Sequence, residues 1–435
     1  MTDWLAFVES NTSGTGRLFA RAAAAQGFRP VLLCEDPSRY PYAADDRVDT
    51  LSVDTGDASA LVAACRRLAA DGRLAGVTSS SEYYVAAAAG VARRLGLRGA
   101  QAAAVRDCRD KLKQRRQLET AGVEIPRFRP ATSVRTALAR ARELGLPVVV
   151  KAASGTGSIG VRLCRTREEV AAHAASLLGR RRDERGRAVP RHILVESVAE
   201  GPEYSVETFG MAVVGVTRKY LGPLPDFVEV GHDFPAELSQ ADAEAVHSIA
   251  RRALFALGLG WGPAHVELRL TPEGPQIIEV NPRLAGGYIP ELVRLASGVD
   301  LVSETVRLVA GGEPDLKTSS GRFASIRFLL SGEEGILRGV CGAEKAARLP
   351  GVCEVKLYAE PGGALKRRGD FRDRIGHVIA CGPTPRAART AADAALRAVR
   401  LQVEPHAPAA SSASAPAEPA QEPRADGDEK LSAAI

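Results

Sequence analysis

The chain has 435 residues, of which 45% are hydrophobic, 25% charged and only 5% aromatic, a balance that fits a folded protein of more than one domain and excludes a wholly disordered one. The formal charge is +6; with the −4 of residues 404–435 set aside, +10 is left on the rest, which suits an anionic small molecule. No apolar run approaches the roughly 18 residues that cross a bilayer, and MTDWLAFVESNTSG lacks the order of a signal peptide, so a cytoplasmic protein without a membrane partner is expected.

Residues 1–106 alternate β-type runs (WLAFVE, RPVLLCE, AGVTSS) with Ala-rich helical ones (GRLFARAAAAQG, ALVAACRRLAADG), which predicts a parallel sheet with covering helices. The opening loop NTSGTGRLF carries Gly14 and Gly16, but Phe19 stands where a dinucleotide fingerprint needs its third glycine. A tight turn at the carboxyl edge of the sheet is expected instead.

Residues 107–320 open with a helix in RDKLKQRRQLETAGVEIPRF, carrying Leu112 and Leu118 and stopped by Gly122 and Pro126. A second helix starts at Ser133 and ends at Gly145. Then come the apolar strand VVVK, a glycine-rich loop, β-rich sequence to residue 230, a helix near 240–257, two strands around 264–280 and a helix after Ile289. Within this region a lobe of about 130–200 carries the loop. Residues 321–403 read as α+β with an Ala-rich terminal helix, and residues 404–435, rich in Pro, Ala, Ser and Glu, as a disordered tail. The densest basic run, GRRRDERGR at 179–187, is broken by acids and has no aromatic beside it; a solvated loop is expected there, not a nucleic-acid surface. The seven cysteines form no C-x-x-C pair and read as small buried residues.

Three segments carry chemistry. Lys151 ends an apolar strand and is followed by Ser154, Gly155, Thr156, Gly157, Ser158 and Gly160; glycines let main-chain N–H groups approach phosphate oxygens, and the lysine adds a compact charge. The lysine precedes the glycines and strands flank both, which excludes a Walker A loop. In VELRLTPEGPQIIEVNPRLAGG, a turn at TPEG reverses the chain, and Glu279 and Asn281 lie two apart on the returning strand and share a face. With Glu267 on the outgoing strand they form a hard-oxygen set suited to Mg2+ or, in its place, Mn2+. Arg283 adds a planar fork for a phosphoryl group or a carboxylate. Between these segments, ILVESVAEGPEYSVETF can present the main chain of Glu196 and Val198 to adenine, and Glu203 to ribose.

These residues resemble the ATP-grasp superfamily, and residues 1–403 resemble its L-amino acid ligase branch. The resemblance implies an α/β and α+β architecture: an N-terminal parallel-sheet domain, a central nucleotide-gripping lobe and a C-terminal α+β lobe in which FRDRIGHVIACG belongs to the part that closes over the site. It assigns Lys111 and Lys151 to ATP, Glu196 and Val198 to adenine, Glu203 to ribose, and Glu267, Glu279 and Asn281 to the metal. Within that branch FVEVGHDFPAEL looks like a substrate segment, with Glu229 near an amino group and His232 near the nascent bond. Arg283 would hold carboxylate or phosphate, and Gly286 and Gly287 would border the substrate. Leu284-Ala285 departs from the small residues often found there. The expected reaction joins a small carboxylate to an amine through an acyl phosphate, with ADP and phosphate released, in a chain for which a homodimer is the default assembly. Two rival readings remain, a purine-pathway or carboxylase-type enzyme acting on bicarbonate or formate, and a non-catalytic nucleotide binder. FVEVGH speaks against the first, and the intact acids against the second.

Overall fold

In the computed structural model the described residues are 3–12, 14–183 and 186–405. The strands Asp3–Val8, Arg29–Cys34, Asp49–Ser52 and Arg73–Thr78 form a parallel sheet with Asp3–Val8 between Arg29–Cys34 and Arg73–Thr78. Successive side chains of a strand face opposite ways. Leu5 and Phe7 therefore pack with Phe19 and Ala23 of helix Thr15–Ala25, whereas Trp4, Ala6 and Val8 pack with helices Ala58–Asp71 and Val85–Arg94 through Leu61, Cys65 and Val91. Cover on both faces is what a parallel sheet requires. The opening loop closes on itself: a Cβ on Gly16 would lie 2.1 Å from Ser10 Oγ and 2.2 Å from the Asn11 carbonyl oxygen.

The helix expected in RDKLKQRRQLETAGVEIPRF is Lys111–Thr120, which carries Leu112 and Leu118, and a short helix, Ala102–Cys108, precedes it. Asp110 divides them, because its extended backbone lets its carboxylate accept the Leu112 and Lys113 amides and cap the second helix. Ser133 caps helix Val134–Leu144 in a reciprocal box with Thr136, and Gly145, at φ 85°, ends it. This helix and Arg167–Gly179 lie on a small antiparallel sheet ordered Phe128–Ala131, Ile193–Ser197, Val148–Ala152, Val161–Cys164. Their shared core joins Val148, Val150 and Val195 to Ala137, Ala141 and Val170.

The main sheet has eight antiparallel strands in the order Gly274–Asn281, Pro263–Thr271, Glu203–Phe209, Ala212–Leu221, Glu229–Phe234, Phe323–Leu330, Arg374–Gly382, Val352–Leu357. Three of these come from beyond residue 320, so that region continues the sheet and adds a smaller one of Gly335–Cys341, Ala364–Leu365 and Arg400–Pro405. Glu404 and Pro405 are thus in a strand; the rest of the segment expected to be disordered lies outside the described residues. Helix Gln240–Ala256 buries Val246, Ile249 and Ala253 against Val206, Val266 and Ile277, while helix Ile289–Ser297 buries Leu292 and Val293 against Phe234, Ile326 and Phe328.

One expectation is corrected. Cys341 and Cys353 are exposed, unlike the other five cysteines, because Cys341 closes one short-sheet strand and Cys353 lies on the outermost strand of the large sheet. The basic run is exposed at 179–182 and 186, as expected, and departs from that at Arg187. Arg187 lies 5.3 Å from the Tyr83 ring centre and donates to the Tyr83 carbonyl at 2.9 Å, so folding supplies the aromatic that the local sequence lacks; Glu184 and Arg185 are outside the described residues. No helix among the described residues is long and apolar enough to cross a membrane.

Candidate functional site

Pro263–Thr271 alternates without interruption: Ala264, Val266 and Leu268 enter the core, which turns His265, Glu267 and Arg269 to the other face. Glu203–Phe209 does the same, with Tyr204 and Val206 inside and Glu203, Ser205 and Glu207 opposite. On the hairpin's returning strand, Glu279 is the cross-strand partner of Glu267, and Asn281 that of His265. A bulge beside Glu267 leaves Ile278 unpaired. Ile277 and Val280 are therefore core, whereas Ile278 lines the cleft.

A residue not singled out in the sequence sits at the centre of this face. Lys219, 2% exposed, places Nζ 2.6 Å from Glu229 Oε1, 3.1 Å from Glu267 Oε1 and 3.3 Å from Glu203 Oε1. Burial opposes its charge, but the three acids outweigh burial and hold its pKa well above the usual lysine range. Each acid has a further partner: Arg269 for Glu203, Arg374 for Glu229 and His265 for Glu267. His265 also meets Glu207 at 3.0 Å, and against the effect of burial the two carboxylates lift its pKa to about 9.

A β-bulge makes this meeting of acids feasible. Tyr220 pairs with Gly231 but Leu221 pairs with Glu229, so Val230 is extra, and Glu229 and His232 come to one face despite their odd spacing. His232 is fully buried; its Nε2 lies 3.4 Å from Glu229 Oε2 and its ring is edge-on to Phe328. Burial pushes its pKa down, so the imidazole is neutral. Gly287, at φ 61°, covers it, because a Cβ there would come 2.7 Å from His232 Nε2.

Opposite the acids, the cleft, of about 950 Å³ including its open mouth, is roofed by Ser154 to Ser158. Val149, Val161, Val198, Phe227 and Ile278 form its apolar lining, and Glu203, Glu229, Glu267, Glu279, Asn281 and Arg283 its polar one. His232, Gly286 and Gly287 lie outside this lining, behind Glu229. Lys151 Nζ is 2.7 Å from Glu196 Oε2, whose other oxygen accepts from Arg115 Nε at 2.8 Å. Burial and then the neighbouring Arg115 lower the Lys151 pKa to about 8, with Glu196 only partly restoring it. Lys111 Nζ bridges the Gly155 carbonyl and Glu279 Oε1 at 2.9 Å each, tying the roof to the floor.

Arg283 donates through Nε at 2.9 Å to Glu82, a residue of the N-terminal sheet region, and through its outer nitrogen at 3.2 Å to Thr156 Oγ1. Sequence reasoning missed Glu82, Arg115, Lys219, His265 and Arg374. His265 was within reach, since it shares the period-two face of Glu267; the others come from distant segments.

No three His, Cys, Asp or Glu side chains among the described residues converge as a metal group. The oxygen set of Glu267, Glu279 and Asn281 is two carboxylates and an amide on adjacent strands, each acid matched by an ammonium. Those donors fit a hard divalent ion that takes its other ligands from phosphate and water.

Residues 144–291 match the ATP-grasp domain and residues 327–404 the L-amino acid ligase C-terminal domain 2. The uncharacterized protein y4rH of Sinorhizobium fredii is 39% identical over 395 residues, covering 91% of this chain and 82% of that one. Human carnosine synthase 1 is 29% identical over 264 residues, 57% of this chain, which spans only 31% of that protein's length. An L-amino acid ligase structure from Bacillus licheniformis superposes with a TM-score of 0.77 at 20% identity, over 93% of this chain and 99% of the other, which establishes the fold. Cleft geometry, the order of its parts along the chain and these matches agree, and the chain belongs to the ATP-grasp superfamily, in its L-amino acid ligase branch.

Proposed function

We propose that the chain is an ATP- and Mg2+-dependent carboxylate–amine ligase that activates an amino acid or related acid as an acyl phosphate and couples it to an amine. The products are a dipeptide or amide, ADP and phosphate, made in the cytoplasm from small-molecule substrates by a homodimer. What carries this reading is the meeting, across one cleft, of a glycine loop with two buried lysines and a cross-strand acid pair. The match of residues 327–404 supports amino-acid substrates over bicarbonate or formate.

In this reading adenine lies among Val149, Val161 and Ile278 with the main chain of Glu196 and Val198 at its edge, and Glu203 accepts from ribose. Lys111, Lys151 and the amides of Ser154, Gly155, Gly157 and Ser158 spread the charge of the phosphoryl group in transfer, where positioning and electrostatics do nearly all the catalysis. Glu267, Glu279 and Asn281 would hold Mg2+, which would offset triphosphate charge. A carboxylate oxygen attacks the γ-phosphorus as its bond to the ADP oxygen breaks; the amine nitrogen then attacks the acyl carbon and phosphate leaves. Arg283 steadies the anionic group, Glu229 faces the substrate amino group, and neutral His232 lies by the forming bond with Gly286 and Gly287 leaving room. The loop excludes water from the intermediate.

The test is phosphate release by the purified chain over a matrix of amino acids and amines, with product masses measured. ADP and phosphate in step with a condensed product are expected, and AMP with pyrophosphate would refute the acyl phosphate. Glu279→Gln should lower turnover at least about 100-fold, roughly 2.7 kcal/mol of transition-state stabilisation; unchanged turnover would overturn the metal assignment.

A further inference from the structure

The glycine loop is held from the far side of the cleft by a side chain outside the nucleotide and substrate set. Phe371 is 7% exposed yet belongs to none of the apolar clusters among the described residues. Its cover is the loop: a Cβ on Gly157 would lie 2.4 Å from Phe371 Cδ1 and 3.0 Å from Cγ, and the Phe371 amide donates to the Gly157 carbonyl at 3.2 Å. Only glycine, here at φ 61°, lets the main chain lie this flat on the ring.

The turn bearing Phe371 is built to stay put. Asp370, buried, accepts the Arg372 amide at 3.0 Å and its Nε at 2.9 Å; Asp373 accepts the Arg368 and Gly369 amides at 2.8 Å each. Gly369 abuts the Asp226 carboxylate, and the neighbouring Phe227 carbonyl accepts from Ser158 Oγ at 2.7 Å. Arg374, at the end of the same turn, grips Glu229 at 2.7 Å. One rigid turn thus touches the roof of the cleft and an acid of its floor.

We propose that Phe371 is a positioning residue, a latch that keeps the glycine loop shut while the acyl phosphate exists. This rests on the ligase reading above. Without the latch, water adds to the acyl phosphate, the carboxylate and inorganic phosphate separate, and ATP is consumed with no amide formed. Phe371 therefore governs coupling more than nucleotide binding.

The test uses the full chain with Phe371→Ala and, as a milder change that keeps apolar bulk should the alanine variant not fold, Phe371→Leu. Hydrogen–deuterium exchange is followed at 153–160 and at 263–281, with and without Mg-ADP, and phosphate release is compared with amide formation. Exchange at 153–160 should quicken about tenfold or more in Phe371→Ala and less in Phe371→Leu, with 263–281 unchanged, since lids draw on the low-stability end of a fold. Phosphate released per amide should rise several-fold, with the KM for ATP moving less than about twofold. Wild-type exchange at 153–160 in the folded variants would overturn the latch, and so would faster exchange with phosphate and amide still in step. If no substrate pair yields product in the wild type, the ligase reading fails while the exchange result still decides the contact.

Discussion

The floor and the roof of the cleft place charge by opposite means. On the floor, side chains from four adjacent strands interlock: Lys219 serves Glu203, Glu229 and Glu267 at once, and His265 joins Glu267 to Glu207. On the roof, main chain does the work: Gly155 and Gly157 take positive φ, and the lysine beneath them shares a single acid, Glu196, with Arg115. A network on paired strands is stiff and fails as a unit, whereas a loop over one ion triad can open and lose one member at a time.

Removing the central cation of each region tests that contrast most severely. Lys219→Met removes the buried cation shared by Glu203, Glu229 and Glu267, leaving Arg269 for the first, Arg374 and His232 for the second and His265 for the third, and should cost about 3–5 kcal/mol in urea unfolding, the range for breaking a buried pair. Lys151→Met leaves Glu196 on Arg115 and should cost less than about 2 kcal/mol while weakening ATP binding. Equal losses would erase the distinction.

The pH response separates the regions next. The folded pKa of His265, about 9, lies above its ordinary 6.5, so its contribution is full below about 6.5 and lost as pH rises through 9, about 3 kcal/mol at most. Urea stability should fall across that window, and His265→Asn should flatten the fall. On the roof, Lys151 is charged below about 8 and neutral above it. ATP affinity should therefore weaken by up to about tenfold per pH unit above 8, and Lys151→Arg, charged throughout, should remove that limb. A wild-type affinity flat to pH 10 would mean that this ammonium does not meet the phosphates.

The two regions were also unequally legible in the sequence. Period-two alternation and the TPEG turn disclose the hairpin of Glu267, Glu279 and Asn281, and Ser133 and Gly145 announce their helix, because those signals are local. Lys219 was invisible, since a lone lysine on a strand normally reads as solvated and only the pairing of strands brings it to Glu203 and Glu229. Arg115 lies on a helix of low amphipathicity, and its acid is 81 residues away. Asp110 stands at the start of the segment read as helix and proves to be its cap, a role set by its extended backbone.

Val230 gives the floor a dependence on counting. Strand chemistry has parity: at their odd spacing, Glu229 and His232 would fall on opposite sides of the sheet if the strand ran regularly without the bulge. Glu229 could then keep Lys219 and Arg374 only by sending His232 away from Gly287, or the reverse. The pair thus depends on the irregularity itself: a change that straightened the strand with Val230 still in it would part the two side chains, whereas a strand lacking Val230 would keep them on one face by ordinary alternation.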